Sequence, residues 1–440
     1  MHPGGNAAGQ SPAGATLLAL QAQLEQSERL SREQLTAMQF RRLDQVLRHA
    51  WQSLPFWRER FAVAGYDPAR SLTEEAFARL PLLTRAEIQH GGDALHVANL
   101  PAGHGRVGRL ETSGSIGRPA TFLYTDIEEV YWHAFTLREH LWHRREPGTK
   151  LAAIRYMKQG GTTSGWGVST DSVLETGPGA ALRIDTPLAE QVAWLEQEQP
   201  QYLLSYASNL GALAHAFIRE QRTLPGLREV RSVSETVRPE LRELVRAAWG
   251  VGLVDVYSAK EVGYIALQCP EHEHYHVQEE NLLLEVLDAD GRPCAPGEPG
   301  RVVLTALHKF AMPLIRYEIG DYAVPGETCS CGRGLRVLRE VLGRTRNMLR
   351  LPDGEQRWPL CDLVGQPDVP GILQYQYVQK TLQDIEVRLV VGAAWSHELE
   401  PRLTAIIHGR LGYPFALTFV YPPQIERSAA GKFEDFLCLL

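Results

Sequence analysis

Three hydroxyls and two glycines crowd into Thr112-Ser113-Gly114-Ser115-Ile116-Gly117, and Arg118-Pro119 follows. Glycines let a backbone turn its N–H groups toward an anion, hydroxyls add donors, and a guanidinium offsets charge, so the loop suits phosphate oxygens. It lacks the spacing of a Walker loop, and alone it fits an ordinary polar turn equally well. Further on, Tyr257 follows the apolar run Leu253–Val256, and Glu261 sits four residues later. A carboxylate at a strand end can hold Mg2+ against a triphosphate, and an aromatic ring there can stack on a purine. Asp321, next to Gly320, could accept two hydroxyl hydrogen bonds from a ribose. Lys432 lies in the small-residue stretch Ser428-Ala429-Ala430-Gly431-Lys432-Phe433, from which a cation could reach a cleft and neutralise charge developing in a phosphoryl displacement. Each residue by itself fits a satisfied loop carboxylate, a packed tyrosine or a solvated lysine. Their order and company are what point to nucleotide chemistry.

Cys269, His276, Cys329 and Cys331 supply three thiolates and an imidazole, the composition of a tetrahedral structural zinc site. Two halves, C-x6-H and C-x-C, would clamp two hairpins together. His272 and His274 are rival ligands on spacing alone, and unlinked cysteines are the plainer reading. Cys294, Cys361 and Cys438 have no partner pattern. No open coordination position is implied, so catalytic zinc is not expected.

The elements that would position these residues can be read from periodicity. Leu17 to Ser53 carries helical spacing, interrupted at Pro55-Phe56-Trp57. Thr84 reads as an N-cap with Glu87 at the capping-box position. Strands at Leu151–Arg155, Tyr202–Ser205, Val230–Val233 and Leu253–Val256 alternate with helices at Leu188–Gln197, Leu210–Gln221 and Pro239–Trp249, which implies βαβ units and a mostly parallel sheet. From Leu282 to Leu307 the pattern becomes antiparallel. Past Gly343 come short strands and one helix, Leu399–Leu411. The expected fold class is α/β: a disordered tail over residues 1–15, a large domain of mixed sheets and helices over 16–344, and a small mobile α+β domain over 345–440.

With 440 residues and 44% hydrophobic content, the chain can bury more than one core. A net charge of -7 argues against a general nucleic-acid binder. No apolar run reaches the roughly 18–20 residues of a membrane span. Met1–Ala15 lacks the regions of a signal peptide, and six cysteines are too few for a disulfide scaffold. A cytoplasmic setting is expected.

Taken in order, these residues resemble the adenylate-forming enzymes, in the branch of phenylacetate–coenzyme A ligase and the CapK-like proteins. The resemblance runs from about residue 35 to the end. It is carried by Leu54-Pro55-Phe56-Trp57, Leu80-Pro81-Leu82-Leu83-Thr84, the T-S-G-S-x-G-x-P loop and Ser234-Glu235-Thr236. It continues through the Y-x-x-x-E run ending at Glu261, Pro313 to Asp321, Cys329 to Arg333, Gly343-Arg344 and the Gly431-Lys432-Phe433 ending. It implies ATP-dependent activation of a carboxylic acid, an aromatic one by family, as an acyl-adenylate, then transfer to coenzyme A. By matched position, Thr112, Ser113, Gly114, Ser115 and Gly117 would hold phosphates, Tyr257 would lie by the adenine, and Asp321 would bind ribose. Arg344 would lie near the nucleotide, Glu261 would ligate Mg2+, and Lys432 would orient carboxylate and phosphate. The same matching favours His276 over its rivals for zinc. Oligomeric state is open, and a homodimer is compatible.

Four departures bear on this. Ile116 replaces a threonine, Arg118 a lysine, and Lys260 a Ser or Thr. Arg346-Asn347 replaces an acidic pair near the hinge, and Leu351 to Glu355 lacks the loop presented to coenzyme A. An amine, a hydroxyl or a carrier protein is therefore an open alternative acceptor, and a degenerate zinc-stabilised binding protein is the reading from another class. Trp132, His133, Tyr156 and Trp166 could line an acyl pocket or pack in the core.

Overall fold

The computed structural model describes residues 11–112, 119–359, 362–428 and 431–440. The first helix, Pro12–Ser27, begins inside the stretch expected to be tail. Ser11 accepts the Gly14 N–H at 3.0 Å, and Pro12 occupies the first turn. Ser-Pro is a helix-start signal, and it overrides the Gly- and Ala-rich composition that suggested disorder. A second helix, Arg32–Ser53, opens on a Ser31–Gln34 capping box. Pro55 then starts a third helix, Pro55–Val63, rather than a loop, since proline costs nothing at a first helical position. The Thr84–Glu87 capping box is present as expected.

Twelve strands form one continuous sheet. Five run parallel, in the spatial order Gly252–Ala259, Glu229–Val233, Tyr202–Ser205, Leu151–Arg155, Gly179–Arg183. The short strand Gly161–Thr163 closes that side antiparallel. At Gly252–Ala259 the sheet changes sense. Gly263–Gln268 pairs antiparallel with it, and Tyr275–Val277, Val337–Arg344, Tyr317–Pro325, Gly300–Ala306 and Leu282–Leu287 continue antiparallel to the far edge. The "mostly parallel" expectation thus holds for the middle of the chain only. The tight turn at Lys260-Glu261-Val262 cannot make a parallel crossover, which needs a dozen or more residues.

The helices Leu188–Glu198, Ala207–Arg219 and Pro239–Trp249 cover one face around Leu210, Leu213, Phe217 and Val230. The antiparallel half packs on the N-terminal helices through Trp57, Phe61, Phe122 and Tyr317. The small domain has its own core of Tyr377, Val387, Leu403, Ile407 and Phe436. Its sheet runs Ala416–Val420, Asp384–Val391, Ile372–Gln379, Phe436–Cys438, with the helix Glu400–Leu411 against it. Among the described residues no helix is long and apolar enough to cross a membrane.

Arg138, 0% exposed, ties the N-terminal helix to the sheet. It donates to the Leu24 carbonyl at 2.6 Å, to Gln278 at 2.7 Å and to Glu280 at 2.8 Å. Glu280 is equally enclosed, so removing its cation strands a buried carboxylate. Arg138→Ala is expected to destabilise the protein by about 3–5 kcal/mol in denaturant titration. A loss below about 1 kcal/mol would show that this network does not hold the helix.

Candidate active site

A cleft of 2240 Å³ lies between the two domains, lined by strand ends and by residues of the helices Asp126–Trp142, Ala207–Arg219 and Pro239–Trp249. Tyr257 and Asp321 come from strands on the two sides of the change in sheet sense. The Tyr257 hydroxyl donates to Asp321 Oδ2 at 2.8 Å. Asp321 stands opposite Arg344 in the antiparallel register, and Arg344 Nε lies 3.2 Å from Asp321 Oδ1. Burial pushes the Tyr257 phenol well above its ordinary value, and the neighbouring carboxylate adds to this. Asp321 raises the Arg344 pKa. Tyr257 is 8% exposed with its hydroxyl committed to Asp321. Glu261, 4% exposed, makes no hydrogen bond among the described residues, although it lines the cleft. Its charge is felt by Arg344 and Lys432, and its unbonded oxygens are open to a cation bound in the cleft.

Thr112 ends the strand Val107–Thr112, and its Oγ1 accepts from Arg85 Nη2 at 2.8 Å. Ser113, Gly114, Ser115 and Gly117, with Ile116 and Arg118, lie outside the described residues. The departure Lys260 is exposed at the cleft mouth. Arg346, the hinge departure, forms an ion pair with Glu434.

Lys432 belongs to the small domain yet lines the same cleft. Its backbone is fixed on both sides. The preceding Gly431, at φ +77°, sits so close to the large domain that a Cβ would lie 2.7 Å from Tyr156 Cβ and 3.3 Å from the Tyr206 hydroxyl. Glycine is required there for conformation and for space. The following residue, Phe433, donates its N–H to Glu235 Oε1 at 2.6 Å. Arg427 Nη1 bridges Glu235 Oε1 (3.4 Å), Ser208 Oγ (3.1 Å) and the Gly431 carbonyl (3.1 Å). Glu235 Oε2 takes the Ser208 N–H at 2.8 Å. Burial lowers the Lys432 pKa and Arg344 lowers it further, against the pull of Asp321, Glu261 and Glu235. The cation therefore stands among the groups of the opposite domain. Sequence reasoning singled out Ser234-Glu235-Thr236 without giving Glu235 a role, and it missed Arg427. Nothing in their spacing, 192 residues apart, links them before the chain is folded.

Cys269, His276, Cys329 and Cys331 converge, with ligand atoms all within 4.8 Å of one another. Cys269 Sγ and Cys329 Sγ are 3.9 Å apart, and Cys331 Sγ is 3.3 Å from His276 Nε2. His272 instead meets Ser330 Oγ at 3.1 Å. Of the four aromatic candidates, Trp166, Trp132 and Tyr156 line the cleft. Trp166 also packs on His140 and Tyr202. His133 bonds Ser169 Oγ at 2.8 Å.

No protein-family model matches the chain. It is 26% identical to the phenylacetate–coenzyme A ligase of Thermus thermophilus, over 94% of this chain and 98% of that protein. It is 25% identical to the phenylacetate–coenzyme A ligase of Escherichia coli, over 74% of this chain and 75% of that one. With the cleft geometry, that near end-to-end likeness decides the superfamily. The chain belongs to the adenylate-forming ligases. It is an ATP-dependent carboxylate ligase that passes through an acyl-adenylate.

The solved structures agree on the fold. A 2-hydroxyisobutyryl-CoA ligase in its postadenylation state superposes with a TM-score of 0.72 at 20% identity, covering 94% of this chain and 91% of that one. The same ligase in its thioesterification state gives 0.62 at 21% identity over the same shares.

Glu235→Gln replaces one acceptor oxygen with an amide that can only donate toward Ser208 or Phe433. The expected outcome is roughly tenfold or faster hydrogen exchange at the Phe433 amide, with large-domain core amides unchanged. Unchanged exchange at Phe433 would mean that Glu235 does not hold the loop.

Proposed function

We propose that this ligase activates an aromatic carboxylic acid and transfers it to coenzyme A, in the manner of the phenylacetate–coenzyme A ligase branch. The observation that carries the reading is the convergence of Lys432, Glu261, Asp321 and Arg344 on one interdomain cleft, in a chain aligned end to end with such a ligase. Both partners in the first step are anions. Lys432 would sit between the acid's carboxylate and the α-phosphate and offset the charge shared by the five-coordinate phosphorus. Asp321, held by Tyr257 and Arg344, would accept the ribose hydroxyls. Arg344 would lie near the nucleotide, beside Asp321. Thr112, with the loop Ser113 to Gly117, would receive the β- and γ-phosphates. Glu261 would hold Mg2+, which shields the triphosphate when bound. Tyr257 orients Asp321 through its hydroxyl, beside the adenine position. Release of pyrophosphate leaves the mixed anhydride, and the thiol then attacks its carbonyl and expels AMP.

We also assign a structural zinc to Cys269, His276, Cys329 and Cys331. The 3.9 Å sulfur separation is far beyond the about 2.05 Å of a disulfide. It matches the edge of a tetrahedron built on Zn–S bonds of about 2.3 Å. Cys269 and His276 lie within the hairpin Gly263–Val277, at the end of its first strand and in its second, while Cys329 and Cys331 precede Val337–Arg344, the strand paired with it. The clamp would fix the strand that ends at Arg344.

Lys432→Ala is expected to slow acid-dependent pyrophosphate release by about a hundredfold or more, with ATP affinity changed little in equilibrium binding. An unaltered rate would remove Lys432 from the mechanism. Metal analysis should find about one zinc per chain, and Cys329→Ser should lower both zinc content and melting temperature. Wild-type protein isolated without zinc, together with a Cys329→Ser variant that melts no lower than it, would discard the assignment.

A further inference from the structure

Beyond the nucleotide groups the cleft continues as a slot between the sheet and the helix Asp126–Trp142. Leu151, Ala153, Leu204 and Trp166 give it apolar walls. Leu151, Ala153, Leu204 and Arg231 share one face, because Ala153 is in register with Leu204, and Leu204 with Arg231. At the far end the lining turns polar with Arg231, His140, Thr136 and Tyr264.

The donors there are specific. Arg231 is 5% exposed. Its Nε and Nη2 are spent on Glu139 Oε1 and Oε2, but Nη1 has no partner. It is also absent from the fully enclosed unpaired atoms, so it keeps an opening onto the cleft that Arg231 lines. Glu139 cannot claim it, being already shared with Arg145 at 2.6 Å. His140 is likewise 5% exposed, and its Nδ1 lies 3.3 Å from Arg145 Nη1. A guanidinium only donates, so Nδ1 must accept and the proton of the neutral ring sits on Nε2. Burial, with Arg231 and Arg145 close by, keeps that ring neutral. The Thr136 and Tyr264 hydroxyls pair at 2.9 Å and leave a further polar edge beside these donors.

Arg231 Nη1 and the His140 ring thus border this end of the slot, and among the described residues nothing accepts from Nη1 or from His140 Nε2. We infer that the acid carries a hydrogen-bond acceptor at the end opposite its reacting carboxylate, and that Arg231 and His140 select for it. The inference rests on the acyl-activating reading and narrows its substrate class. A ring bearing a carbonyl, nitro, hydroxyl or second carboxylate satisfies the pair. A bare phenyl ring leaves both donors buried without a partner. A site built to hydrogen-bond a substrate group rejects the analogue lacking it far more strongly than an apolar pocket rejects a size change.

The test uses matched acids: phenylacetate against its 4-hydroxy, 4-nitro and 4-carboxy derivatives, and the corresponding benzoates. Affinity is read by calorimetry on the full chain and turnover by pyrophosphate release. At least one acceptor-bearing acid should bind roughly tenfold or more tightly than its parent. Arg231→Met should bring that ratio to about one, and Arg231→Lys should keep part of it. Should Arg231→Met fail to fold, His140→Phe must cut the same ratio. Tighter binding of every unsubstituted parent, or a ratio untouched by a folded Arg231→Met, overturns the inference. Binding preference without pyrophosphate release from any acid would leave the inference standing and remove the ligase reading. Turnover that favours the parents would do the reverse.

Discussion

The arrangement of this enzyme's cleft depends on one buried carboxylate that belongs to the large domain and bonds to the small one. Glu235 accepts the Phe433 N–H and faces the Arg427 guanidinium, and the large domain's own Ser208 N–H holds its other oxygen. The residue before it, Ser234, takes φ +70°, an unusual setting for a non-glycine residue. A carboxylate at 8% exposure carries a desolvation cost, and burial raises its pKa accordingly. That cost is offset while the small domain is docked. Undocking would leave Ser208 as its main donor and would return water to the site. One further ion pair, Arg238 with Asp435, reinforces the docked state, and a second, Arg346 with Glu434, ties the hinge segment to the rest of the small domain. The last of these explains the hinge departure from the family pattern: a basic residue at 346 meets an acid in the segment just after Lys432.

Within the cleft, charges are arranged so that the protein does not satisfy itself. Asp321 is partly met by Tyr257 and Arg344, whereas Glu261 makes no hydrogen bond among the described residues. The Lys432 ammonium is held in place by its backbone rather than by a partner for its side chain. Preorganised but incompletely paired groups of this kind give their largest return when a charged ligand and its transition state complete them.

Much of this was legible in the sequence because the relevant signals are local. Strand–helix alternation from Leu151 to Val256 follows hydrophobic period, and the ends of those elements were read to within a few residues. The Thr84 cap and the positions of Glu261, in a turn after a strand, and Asp321, within the strand Tyr317–Pro325, follow from short patterns. What escaped depends on contacts between distant segments. The first turn of the first helix is not legible, because the Gly- and Ala-rich composition up to Ala15 outweighs the two-residue Ser11-Pro12 signal. Glu235 and Arg427 could not be paired without the fold. The antiparallel half of the sheet showed as strand pattern, but that it joins the parallel half edge to edge at Gly252–Ala259 is a matter of pairing, which hydrophobic period does not encode. Cys269, His276, Cys329 and Cys331 stand out by type and spacing, with His276 preferred over His272 and His274 by the family resemblance; the four converge, while His272 meets Ser330.

The strand Phe436–Cys438 is hydrogen-bonded parallel to Ile372–Gln379, at the edge of the small domain's own sheet. Lys432 precedes it by four residues, a tether of at most about 14 Å. The cation is therefore a short tooth on a rigid gear. Any rotation that turns another face of the small domain toward the acyl-adenylate must carry the lysine out, so the same movement that admits an acceptor disables the reverse of the first step. Order in the two half-reactions then needs no separate regulator. It is written into the distance between one side chain and the strand that anchors it.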